Sequence, residues 1–140
     1  MFSTYDETLF PIVKVTIEGL PQDNEFDIFL SQWLKLYDKN QNFYLLFDIR
    51  NLGLIGIRYC IQMALFIHEL KKKEIQYLQK SIILINDKRV QKLLDFIFMI
   101  QKPVADVFII NTNESIDNYQ KNFHEISSNN LNNDTIYISP

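Results

Sequence analysis

Segments typical of β-strands alternate with segments typical of helices along most of this 140-residue chain. Four short runs are rich in β-branched and large apolar residues, as buried strands are. They cover residues 12–18, 43–47, 81–85 and 106–110. Because strands that alternate with helices are joined by right-handed crossovers, this order predicts a mostly parallel sheet. We therefore predict a single α/β domain with a mixed, mostly parallel sheet of about 4–5 strands and about four helices.

Helices are predicted between these strands because apolar residues there recur every three or four positions. The predicted helices cover about residues 24–37, 57–73, 88–101 and 113–123. Residues 2–5 carry a weak strand signal. From residue 125 the composition changes to Ser and Asn, so we divide the chain into an α/β domain over residues 1–124 and a polar C-terminal tail over residues 125–140. Within this tail, residues 135–138 are compatible either with a docked strand or with a mobile end.

Charge and composition argue against several classes of protein. A net charge of −3 and a pI near 5.3 leave no basic footprint for nucleic acid. The single cysteine, Cys60, allows neither an intrachain disulfide nor a multi-cysteine zinc cluster. No apolar run approaches the ~20 residues that cross a bilayer, and the first residues lack the features of a signal peptide. We expect an intracellular, cytoplasmic protein without a transmembrane segment, and its Ile-, Asn- and Lys-rich composition is compatible with a protist, bacterial or viral source.

The predicted second helix is apolar over most of its circumference. One face carries Ile57, Ile61, Ala64, Leu65 and His68, and the nearly opposite face carries Tyr59, Met63, Phe66 and Leu70. The sheet can cover only one of these faces, so the other requires a neighbouring helix, a partner chain or an apolar ligand. All three alternatives are open. Our candidate partner-binding residues, for a protein partner or for self-association, are Tyr59, Met63, Phe66 and Leu70. An apolar ligand would need a cavity between the second and third helices, lined by residues such as Met63, Phe66, Phe96 and Met99.

Polar residues follow two of the predicted strands, where an α/β sheet places its ligands. The candidates for this strand-end patch are Asp48, Arg50, Asp87 and Arg89. Such a patch could bind a partner or a small anion. The alternative is that Asp87 and Asn111 cap helices and that Asp48 forms an ion pair with Arg50 or Arg89.

No signature of catalysis is present. The chain contains no P-loop, no dinucleotide fingerprint and no zinc-protease or serine-hydrolase motif. Cys60 lies in an apolar helix like a small buried hydrophobe, and His68 lacks neighbours at metal-ligand spacing. His124 begins the polar tail and is expected to be exposed. We therefore predict no catalytic residue, no metal site, no cofactor and no enzymatic activity.

Two motifs carry a resemblance to a known family. They are LLFDIRNL at residues 45–52, followed directly by a helix, and SIILINDKRVQKLL at residues 81–94. Over about residues 12–123 the chain resembles the SpoIIAA-like branch of the STAS domain superfamily, and the resemblance implies a single STAS-like domain. Members of this group act as interaction modules. In anti-sigma-factor antagonists, a kinase phosphorylates a serine at the start of the helix after the central strand.

That serine has no counterpart in this chain. Counting from Asp48, the corresponding loop reads Gly56, Ile57 and Arg58, and residues 42–80 contain neither Ser nor Thr. We therefore expect a small non-enzymatic interaction module, regulatory or architectural, without this phosphorylation. The alternative is a carrier of a lipid or another apolar ligand.

Overall fold

The structure, a computed structural model, describes residues 1–140 and contains one six-stranded sheet with four α-helices. The strands are β1 (Ser3–Asp6), β2 (Ile12–Gly19), β3 (Phe43–Leu52), β4 (Leu78–Ile85), β5 (Asp106–Asn111) and β6 (Thr135–Ile138). The helices are α1 (Glu25–Lys35), α2 (Ile57–Leu70), α3 (Lys88–Ile100) and α4 (Ile116–Lys121). Short 3-10 turns at Leu36–Lys39 and Phe123–Glu125 follow α1 and α4. The predicted α/β domain is confirmed, with six strands instead of four or five.

The strands follow one another across the sheet in chain order. β2, β3, β4 and β5 are parallel, whereas β1 and β6 pair antiparallel at the two edges. Parallel neighbours require a crossover connection, and α1, α2 and α3 provide the three that are needed. Because all three connections step in the same direction with the same hand, the three helices lie side by side on one face.

The two faces of the sheet carry cores of different size. The face under α1, α2 and α3 holds 26 buried residues in one cluster, among them Val15, Phe47 and Ile109. The opposite face holds six, covered by α4 and the 3-10 turn that follows it. The fold is therefore built mainly on the three-helix side, and that side determines which helix surfaces remain open.

Both weakly predicted end segments are edge strands. β1 is joined to α1 through the Glu25 carboxylate, which accepts the Phe2 amide at 3.2 Å. β6 is held by Tyr137, whose hydroxyl donates to Asp106 at 2.7 Å while its ring stacks on Phe108 at 5.1 Å. The end of the predicted polar tail is therefore part of the sheet.

The connection from β3 to α2 differs from the prediction. β3 continues to Leu52 because its last residues pair with Glu18 and Gly19 of β2 beyond a bulge. Asp48 consequently lies inside the strand and not at its end. The amide of Gly53 donates to the Gly19 carbonyl at 2.8 Å, and a Cβ at Gly53 would lie 2.8 Å from the Leu20 side chain. Glycine thus allows the two loops to approach each other closely.

The last helix is shorter than predicted. Its N-cap is Ser115, which accepts the amide of Asp117 at 3.2 Å, and not Asn111. After α4, the chain is fastened by Lys80 of β4, which donates to the carbonyls of Phe123 and Ile126. Burial lowers the pKa of Lys80. The sequence offered one signal for this contact, a lysine directly before the apolar run at residues 81–85.

Candidate functional site

The side of α2 that carries Tyr59, Met63, Phe66 and Leu70 faces the sheet and α1. Cys60 is fully buried, and Ala64 and Ile67 are nearly so. Towards α1, the Tyr59 ring lies 5.0 Å from that of Phe26, and the Phe66 ring lies 5.2 Å from that of Trp33. These edge and tilted contacts are the arrangement that aromatic pairs favour. The α1-facing side of α2 is therefore part of the main core.

The four candidate partner-binding residues lie on this covered side. Leu70 is 1% exposed, whereas Tyr59, Met63 and Phe66 are half-buried against the main core. Periodicity detected two apolar faces, but it grouped Ala64, which is 2% exposed, with the open face. It also could not determine which face α1 would cover. A binding role for these four residues stays a prediction, and most of their surface is already used by packing within the chain.

The opposite apolar side of α2 is exposed to solvent, and we call it the open side. Ile57, Ile61 and Leu65 are 63%, 42% and 60% exposed. At its C-terminal end this side meets α3, because His68 Nδ1 lies 3.2 Å from Gln101 Oε1. The open side of α2 therefore borders the outer surface of α3.

α3 extends the apolar surface. Met99 and Ile100 are 75% and 49% exposed, and Phe96 is half-buried. Since the buried residues Val90, Leu94 and Ile97 face the sheet, helical geometry places Phe96 and Ile100 on the flank next to α2. The outer patch, as we name it, consists of Ile57, Ile61, Leu65, Phe96, Met99 and Ile100.

Cations are concentrated in the part of the chain that carries the outer patch. Residues 57–102 contain nine Lys and Arg and four Asp and Glu, a net charge of +5, whereas the whole chain carries −3 and the remaining residues therefore carry −8. One of the nine, Lys80, lies on the opposite face of the sheet. The other eight are all exposed on or around α2 and α3: Arg58, Lys71, Lys72, Lys73, Lys88, Arg89, Lys92 and Lys102. The low overall charge of the chain conceals this separation.

A narrow apolar cavity lies beneath the helices. It measures about 110 Å³ and is lined by 22 residues, of which 20 are hydrophobic. Ser81 is the only polar side chain among them. Met63 lines this cavity, whereas Phe66, Phe96 and Met99 do not. The space therefore lies between the helical layer and the sheet and not between α2 and α3.

The predicted strand-end patch separates into two ion pairs. In the first, Arg50 donates to both carboxylate oxygens of Asp48 at 2.9 Å and also reaches the carbonyls of Thr112 and Glu114. Burial raises the pKa of Asp48, but the hydrogen bonds and charge of Arg50 outweigh it, so that pKa lies below its ordinary value. This pair links β3 to the loop before α4, on the side of the sheet opposite α2.

The second pair lies at the start of α3. Asp87 caps the helix by accepting the Arg89 amide at 2.8 Å, and its other oxygen accepts from the Arg89 guanidinium at 2.9 Å. These hydrogen bonds lower the pKa of Asp87 and raise that of Arg89. Each arginine thus bonds the aspartate two residues before it. The capping and ion-pair alternative expected the Asp48–Arg50 pair and the Asp87 cap, but not the Asp87–Arg89 pair.

No arrangement typical of a catalytic centre accompanies these pairs. Burial raises the pKa of the Cys60 thiol, which is the opposite of what a nucleophilic cysteine needs. His124 is exposed, with its ring 4.9 Å from that of Tyr44. No three His, Cys, Asp or Glu side chains are grouped so that they could hold a metal ion. None of the helices is both long and apolar enough to cross a membrane.

Comparison of the chain with protein-family models, with characterised proteins and with solved structures found no match. The outer patch is therefore described from this chain alone. Sequence reasoning named three of its members as an apolar face of the second helix, and it named Phe96 and Met99 as lining of a ligand cavity. It did not bring the two helices together into one surface, because that requires their order and spacing across the sheet.

Proposed function

We propose that this protein is a small non-enzymatic interaction module that binds another protein through the outer patch. The observation that carries the proposal is the exposure of apolar side chains on two adjacent helices. Singly exposed apolar residues are ordinary, but a contiguous patch of a few hundred Å² on a monomer is the size at which binding sites are found. Here three exposed apolar residues from α2 and two from α3 lie on adjacent helices.

The surface is suited to binding because it is rigid. α2 is held to the sheet through Cys60, Ala64 and Ile67, and its other flank packs against the aromatic side chains of α1. A surface carried on packed helices presents its side chains with little loss of entropy on binding. The resemblance to STAS domains supports the same kind of role, either regulatory or architectural. The absence of Ser and Thr from residues 42–80 argues against regulation by phosphorylation at the loop before α2.

Site-specific photo-crosslinking tests this proposal. The photoreactive residue benzoyl-phenylalanine replaces Leu65 in the outer patch. In a control protein it replaces Ser31, which is exposed on α1. Both proteins are expressed in cells of the source organism and irradiated. We expect a discrete crosslinked protein from position 65, lost when Ile61→Glu is added, and none from position 31. Equal products from both positions, or none from position 65, would contradict a binding role for the patch.

The apolar cavity favours a second candidate function, the binding of an apolar ligand. Its lining is almost entirely hydrophobic, with Ser81 as the one polar side chain. Its volume of about 110 Å³ is below the ~300–1,000 Å³ of sites for drug-sized ligands, so the ligand would be small or narrow. Native mass spectrometry of freshly purified protein should then show an added mass that decreases in Ala105→Leu, which narrows the cavity. A spectrum of the bare chain alone would remove this candidate.

A further inference from the structure

We infer that the partner of the outer patch is an acidic amphipathic helix of another protein, which lies along the junction of α2 and α3. This inference rests on the proposed function and specifies the chemistry of the partner. Two observations carry it, namely the sign of the charges around the patch and the spacing of its apolar residues.

The charge around the patch selects an acidic partner. Eight exposed cations lie on or around α2 and α3, whereas the rest of the chain is strongly acidic. Two of these cations are already paired, Lys72 with Glu69 and Arg89 with Asp87. Arg58 and Lys73 lie over the rings of Tyr59 and Tyr37, towards α1. The remaining cations, Lys71, Lys88, Lys92 and Lys102, have no carboxylate partner within the chain. A partner with carboxylates at its rim would complement them and associate faster at low salt.

The same charges disfavour a second copy of this chain. A two-fold dimer would place the outer patch against itself, because a two-fold interface joins identical surfaces. The cations at its rim would then face one another, and like charges across an interface cost free energy.

A membrane surface fits the patch less well. Exposed carboxylates of Glu69, Glu74 and Asp95 lie among the cations. The continuous negative surface of an anionic membrane would meet all of them, whereas the separate carboxylates of a helix can lie opposite the cations alone. Peripheral helices also present large aromatic residues to the lipid interface. Here Tyr59 packs towards α1, which leaves half-buried Phe96 as the aromatic residue of the patch.

The geometry fits a helical partner. α2 and α3 run in the same direction, since each follows a strand of the parallel sheet, and contact between His68 and Gln101 joins their ends. Ile57, Ile61 and Leu65 are spaced one turn apart and span about 12 Å along α2. Amphipathic helices that dock in grooves use apolar residues at positions i, i+3 or i+4, and i+7, which have the same spacing.

Selection from a random peptide library tests the inference. Peptides of about 18 residues, long enough to form a marginal helix, are displayed and selected on the wild-type protein. Peptides that also bind the Leu65→Glu variant are then removed. The circular dichroism spectrum of this variant is first shown to match that of the wild type. We expect the enriched peptides to carry net negative charge and apolar residues at helical spacing. Their affinity should fall at least tenfold in Leu65→Glu and decrease with added salt.

Charge reversals give the matched control. Lys92 is exposed on α3, one turn before Phe96 of the outer patch, and Lys121 is exposed on α4 across the sheet. We expect the selected peptides to bind Lys92→Glu several-fold more weakly and Lys121→Glu with unchanged affinity. Equal loss in both variants would mean that net charge alone drives binding, and the inference would fall.

Other results separate this inference from the proposed function. Neutral or basic peptides that still require Leu65 would overturn the acidic partner and leave the interaction module intact. A dimer detected by light scattering and dissociated by Leu65→Glu would replace the acidic helix with a second copy. Binding to phosphatidylserine vesicles that depends on Leu65, without any peptide, would replace it with a membrane. If no peptide depends on Leu65 and position 65 forms no crosslink, both proposals fail.

Discussion

The two sides of α2 are both apolar but differ in their surroundings. On the covered side, Tyr59 and Phe66 contact aromatic rings of α1, and Leu70 is almost completely buried. On the open side, Ile57 and Leu65 keep more than half of their surface in solvent, at 63% and 60% exposed. The difference shows that hydrophobicity identifies a surface that requires a neighbour, whereas the fold decides whether the neighbour belongs to the same chain.

The two Asp–Arg pairs show the same contrast among charged residues. Both join an aspartate to the arginine two residues later, and in each pair a guanidinium nitrogen lies 2.9 Å from a carboxylate oxygen. The side chains of Asp48 and Arg50 are 18% and 14% exposed, whereas those of Asp87 and Arg89 are 33% and 70% exposed. A screened surface pair contributes little to stability, so only the first pair is expected to matter for the fold.

Thiol reactivity should show the largest difference between the two sides of α2. Cys60 lies on the covered side with no exposed surface, and Ile61 is 42% exposed. In native conditions, we expect an aromatic disulfide reagent to modify Cys60 at least about a thousandfold more slowly than a cysteine at position 61, because Cys60 reacts only after opening of the fold. The comparison uses the wild type and Cys60→Ala/Ile61→Cys. Similar rates would mean that α2 does not pack on the sheet through this side.

Truncation of leucine should separate the two sides in stability. Leu70→Ala removes a buried side chain and is expected to lower the free energy of unfolding by about 2–5 kcal/mol. Leu65→Ala makes the same chemical change on the open side and should alter it by less than about 0.5 kcal/mol. Urea denaturation of both variants measures the difference. A loss above about 2 kcal/mol in Leu65→Ala would show that the open side is covered within the chain.

The Asp–Arg pairs should differ less than the leucines. At neutral pH, Asp48→Asn removes charged hydrogen bonds to Arg50 and should lower the free energy of unfolding by about 1–2 kcal/mol. Asp87→Asn should have the smaller effect, since its arginine is largely exposed. Because the pKa of folded Asp48 is lowered, its stabilisation is present above its unfolded pKa of about 3.9 and is lost as pH falls through its folded pKa. The difference in free energy of unfolding between the wild type and Asp48→Asn, measured by urea denaturation, should therefore become smaller below about pH 4. A difference that does not change with pH would contradict the ion pair as its cause.

Several features of the fold were predictable because they depend on neighbouring residues alone. The alternation of strands and helices predicted the α/β class, and the cores of the four central strands were located correctly. Helix ends were less accurate where capping decides them: α4 begins at Ile116 because Ser115 caps it, although residues from 113 onward were expected to be helical. β3 also extends beyond its prediction, because pairing with β2 satisfies the backbone of Asn51 and Leu52.

By itself, the sequence determined that this chain forms an α/β domain, that α2 is apolar on two sides, and that residues 42–80 contain neither Ser nor Thr. Those properties follow from periodicity and residue type. Only the tertiary structure decided that Tyr59, Met63 and Phe66 face α1 and that Ile57, Ile61 and Leu65 face solvent beside α3. The reason is physical: the order of strands places α2 between two helices, and the tilt and distance of those helices determine which apolar side is removed from water.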